Sequence, residues 1–92
     1  MNVDYEAIDE LFRQHDIEGL ISSGAPDDEY ESEVEKIVTA LEALPPSDAS
    51  INSIVDIFDN VWIKMFGGSE EQRQRRRFDF EEIAEKVLRF FG

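Results

Sequence analysis

Cysteine is absent from this chain. Neither a disulfide nor a thiolate-held zinc ion can staple the fold, and thiol catalysis is excluded. Histidine occurs once, at His15. A working catalytic site needs a convergent nucleophile, base and oxyanion donor, and one histidine supplies little of that kit. No serine sits in a G-x-S-x-G elbow. Gly67-Gly68 lacks the Gly-Lys-Ser/Thr that would make a phosphate loop. No apolar run approaches the roughly 20 residues that span a bilayer. The acidic start also lacks the basic opening of a signal peptide. The expectation is a soluble cytoplasmic protein that is not an enzyme, with no cofactor, no metal ligands and no membrane contact.

What is present is apolar, acidic and periodic. Ninety-two residues make one domain, 1–92, with a radius of gyration of about 12 Å. At 41% hydrophobic, the chain is too apolar to be disordered. The charge is uneven. Residues 1–68 hold sixteen Asp/Glu and three Lys/Arg, whereas residues 69–92 hold six of each, so the net −13 arises before Ser69. Such a field repels polyanions and anionic membranes and favours basic partners.

The apolar residues return every three or four positions along four stretches, which predicts four amphipathic helices. The first covers about Asp4 to Gln14, with Tyr5, Ile8, Leu11 and Phe12 on one side. A short helical turn capped by Asp16 follows and breaks up by Gly24. The second helix begins near Ser32, where Ser32 and Glu35 have capping-box spacing, and stops at Pro45-Pro46. The third, about Asp48 to Phe66, carries apolar residues from Ile51 to Phe66 over an arc of roughly 180°, more than one neighbour can cover. It should be the centre of the fold. Gly67-Gly68 ends it. The fourth begins at "FDFEEI", with Asp79 as cap, Glu82 as its box partner, and Phe78 stapled on Ile83. Four such helices bury their stripes only against one another. The fold class is therefore all-α, a compact bundle of four main helices plus one short helical turn.

Candidate sites are few. His15, near the end of the first helix, suits an interaction with the last helical carbonyls. The run "DDEYESE", residues 27–33, lacks the calcium-loop pattern and reads as a solvated acidic lead-in to the second helix. Trp62 and the phenylalanines, at helical spacing, read as core. The cluster Arg73, Arg75, Arg76 and Arg77 stands out in so acidic a chain. As a nucleic-acid grip it lacks a basic surround and interleaved aromatics. The favoured reading is an internal counterweight on a loop or extra helical turn after Ser69, pairing with acidic helix faces. The other is a contact for an acidic partner, including residues 27–35 of a second copy.

At "GAPDDEYESEV" (24–34), in its spacing to "VTALEAL", and in the late "IAEKVL" (83–88), the chain resembles the YugE-like family of small uncharacterised bacterial proteins. The resemblance covers essentially the whole chain, although "QRQRRR" is not a feature of that family. It implies a compact all-helical fold in the bacterial cytoplasm and carries over no site residues. The functional expectation is a non-enzymatic acidic protein that binds another protein, basic in character, or itself. The alternative is a small-molecule binder or enzyme with a pocket between helices, near Trp62 or Tyr30.

Overall fold

The computed structural model describes residues 1–15 and 31–91. In chain order they form α1 (Tyr5–His15), α2 (Glu31–Ala43), a 3-10 turn (Pro46–Asp48), α3 (Ile51–Phe66) and α4 (Glu70–Phe91). There is no strand among the described residues. The all-α bundle expected from the apolar periodicity is the observed fold. The helical turn expected after Asp16 lies outside the described residues.

Each helix packs on the next, and α4 closes back on α1. The radius of gyration, 12.4 Å, matches that expected of a packed chain of this length. The connections from α2 to α3 and from α3 to α4 are short, which makes these helices spatial neighbours.

α3 supplies the centre of the core. Ile54, Val55, Phe58 and Trp62 are buried along it, with Ile57, Val61 and Phe66 half-buried beside them. Trp62 stacks on Phe12 of α1 (centroids 5.5 Å, interplanar 19°) and meets Phe80 of α4 edge-on at 5.7 Å. Phe58 packs edge-on against Phe12 at 5.1 Å and tilted against Phe80 at 5.7 Å. Two aromatic residues of α3 thus join three helices. Pairs of this kind add about 0.5–1.5 kcal/mol each beyond the area they bury.

Helix starts are where sequence and structure part. α3 begins at Ile51 rather than Asp48, because Pro45 and Pro46 hold the preceding residues in a 3-10 turn. Its cap is Ser50: Ser53 N–H donates to Ser50 Oγ at 3.1 Å, and Ser50 N–H donates to Ser53 Oγ at 2.9 Å. α2 is already helical at Glu31, so Ser32 lies inside the first turn and does not begin the helix as a box with Glu35. Glu33, expected in a solvated lead-in, is buried, and its Oε2 has no partner among the described residues. It stands four residues before Ile37 and eight before Leu41, on the inward stripe of α2.

α4 departs most. It runs unbroken from Glu70 to Phe91, so Asp79 lies mid-helix. Phe78 is 77% exposed and staples nothing. The actual start is "SEEQ": Ser69 N–H donates to Gln72 Oε1 at 3.1 Å, and Gln72 N–H donates to Ser69 Oγ at 3.3 Å. This earlier capping box wins because the residues it admits are strong helix formers (Glu, Gln, Arg). Gly67 and Gly68, at φ 66° and 138°, make the reversal between α3 and α4 in backbone regions that side chains disfavour.

Candidate functional site

The four arginines occupy the first two turns of α4 and face different ways. Arg73 reaches across to α3, where its Nη2 donates to Asp59 Oδ2 at 2.9 Å. That hydrogen bond, and secondarily the Asp59 charge, hold the Arg73 guanidinium further toward its charged form than usual. Arg76 is only 7% exposed and turns back along its own helix. Its Nη1 donates to the Gly67 carbonyl at 2.8 Å, meeting an acceptor at the C-terminal end of α3, where the helix leaves its last carbonyls unpaired. Arg77 Nε pairs with Glu81 at 3.1 Å, and Arg75 lies 3.9 Å from Glu71, both within α4 at i,i+4 spacing.

Pairing with acidic helix faces therefore holds for Arg73, Arg75 and Arg77. Arg73 reaches an acid of another helix, whereas Arg76 is buried and holds the Gly67 carbonyl. The sequence could not separate the four, because the sorting depends on α4 being helical through residue 77. Once it is, position 76 turns toward the reversal at Gly67, positions 73 and 77 border the seam with α3, and position 75 turns outward.

A cleft of about 160 Å³ opens between α3 and α4, lined by Val55, Asp59, Arg73, Arg77 and Phe80 among others. It is well below the roughly 300 Å³ at which small-molecule pockets begin. Trp62 does not line it; its side chain is fully buried in the core. Tyr30 lies outside the described residues. Two wider depressions, about 360 and 350 Å³, are more open to solvent. One runs along α2 by Ser32 and Lys36, the other between α1 and α4 by Leu11 and Phe90.

His15 lies at the C-terminal end of α1, yet its hydrogen-bond partner is not a carbonyl of its own helix. Nδ1 lies 3.3 Å from Asp79 Oδ1 and 3.9 Å from Glu82 Oε2. Asp79 and Glu82 are i,i+3 on α4, one face and one turn apart. Sequence reasoning missed this group because Asp79 and Glu82 read as a capping box. With "SEEQ" as the start, the two acids fall on one face of a long helix.

Two large aromatics remain exposed on α4, Phe78 at 77% and Phe90 at 65%. No described helix is long and apolar enough to cross a membrane. The chain matches no family model, no curated protein and no solved structure. The YugE-like resemblance thus stands on the quoted residues alone.

Proposed function

We propose that this chain is a non-enzymatic acidic protein that acts in the bacterial cytoplasm by binding a basic protein partner. The observation that supports it is the disposition of Arg73 to Arg77. Each arginine of the cluster has an acidic or carbonyl partner within the chain. The one basic run is counterbalanced where it stands, and the net −13 acts outward. Such a field steers cationic surfaces in and turns polyanions away. The exposed Phe78 adds an aromatic of the kind that anchors interface centres. The same pairing argues against nucleic acid as the ligand, since neutralised arginines release few counterions from phosphate.

The experiment is affinity capture from host extract on the immobilised chain. A basic protein should be retained at about 0.05 M salt and released as salt rises toward 0.5 M, where screening shortens electrostatic reach to a few ångströms. Phe78→Ala should weaken its retention. Capture of nothing above background, or of a partner indifferent to salt, overturns the proposal.

A further inference from the structure

The structure assigns a binding site for one divalent transition-metal ion, of zinc-like ligand preference, to His15, Asp79 and Glu82. One ligand atom from each can be chosen so that all three lie within 4.8 Å of one another. The two separations from His15 Nδ1, 3.3 and 3.9 Å, bracket the distance of about 3.4 Å between neighbouring ligands of a tetrahedral ion with bonds near 2.1 Å. Small rotations of the two carboxyl groups complete the set.

The charge arrangement points the same way. Two carboxylates converge on one imidazole nitrogen. One ring nitrogen carries at most one N–H, so it donates to Asp79 or to Glu82 and leaves the other carboxylate beside a like charge. A dication satisfies both carboxylates and the nitrogen lone pair together. The His15 side chain is only 12% exposed, while Asp79 and Glu82 sit at the surface and reach solvent. Imidazole with two carboxylates suits zinc, cobalt or manganese. Calcium and magnesium prefer oxygen ligands alone. Because His15 ends α1 and the two acids belong to α4, the ion joins the first and last helices at the seam that closes the bundle. The surrounding charge of −13 raises the local cation concentration.

The test uses the untagged full chain. His15 is the sole histidine, so its ring resonances report on the site without ambiguity. Titration with zinc chloride at neutral pH should shift them in a saturable, one-to-one manner, with matching calorimetric stoichiometry. Cobalt should give a visible absorption band, and magnesium in excess should displace neither. His15→Ala and Glu82→Gln should each lower zinc affinity by at least about tenfold, while Glu85→Gln, an exposed acid on the same helix, leaves it unchanged. Circular dichroism of the variants verifies folding. Should His15→Ala misfold, Glu82→Gln and the wild-type ring shifts decide. Unshifted ring resonances, non-saturating heats, or equal loss in Glu85→Gln would show only diffuse attraction of cations to an acidic surface and overturn the assignment.

Discussion

Arg76 donates from Nη1 to the Gly67 carbonyl at 2.8 Å, binding the second turn of α4 to the last residue before the Gly68 reversal. Gly68 lies directly beneath that contact. A Cβ placed on it would stand 3.0 Å from Arg76 Nη1 and 3.3 Å from Nη2. The turn and the guanidinium therefore occupy space that only glycine leaves clear.

Gly68→Ala should cost more than Gly67→Ala. Both glycines have positive φ, but nothing lies within 4 Å of a Cβ at Gly67, so that change costs about 1 kcal/mol of backbone strain. At Gly68 the displaced guanidinium adds to the strain, for a total of about 2–3 kcal/mol. Urea unfolding of the two variants gives the comparison. Equal losses would mean that the Arg76 contact contributes nothing.

Arg76→Gln and Arg73→Gln should separate by their response to salt. The Arg76 bond is shielded from solvent and is a charge-assisted bond to a carbonyl, worth about 1.5–3 kcal/mol, and its loss should be nearly the same at low and high salt. The Arg73–Asp59 pair is exposed on the arginine side, and the small drop in melting temperature on its removal should fade as salt rises. Thermal melts at two ionic strengths check both. The reverse pattern would assign the structural role to Arg73.

Glu33→Leu should stabilise the protein by about 1 kcal/mol. The substitution removes a buried carboxylate whose Oε2 has no hydrogen-bond partner among the described residues and extends the apolar stripe of Ile37 and Leu41. Loss of a favourable first-turn charge offsets part of the gain. A lower melting temperature for the Glu33→Leu variant than for wild type would mean that the carboxylate has a partner in solution.

Ser69→Ala should destabilise by about 1 kcal/mol as a lost helix cap, whereas Asp79→Ala should change stability by less than about 0.5 kcal/mol. Gln74→Pro should cost about 3 kcal/mol or more, since it breaks the helix interior. Equilibrium denaturation ranks the three. A tolerated Gln74→Pro would restore the shorter helix beginning at Asp79.

The core of the fold was legible in the sequence and the ends of its helices were not. Ile54, Phe58 and Trp62 sit at helical spacing whatever surrounds them, so their burial follows from periodicity alone. Ser69 and Asp79 are both competent caps, each with a side-chain partner three residues on. Helix propensity favours the earlier one, and the pairings that hold it in place, with Asp59 and the Gly67 carbonyl, are supplied from outside α4. The same choice hid the grouping of His15 with Asp79 and Glu82, which exists only if Asp79 is inside a helix facing the end of α1.

In the proposed function the arginines serve the fold and the acidic exterior serves the partner. Affinity capture with wild type and with the variant Arg73→Gln/Arg75→Gln/Arg77→Gln, which keeps the buried Arg76, tests it most directly. Both should retain the same basic protein at low salt, the variant at least as strongly. Retention of an acidic protein or nucleic acid by wild type, lost in the variant, would contradict it.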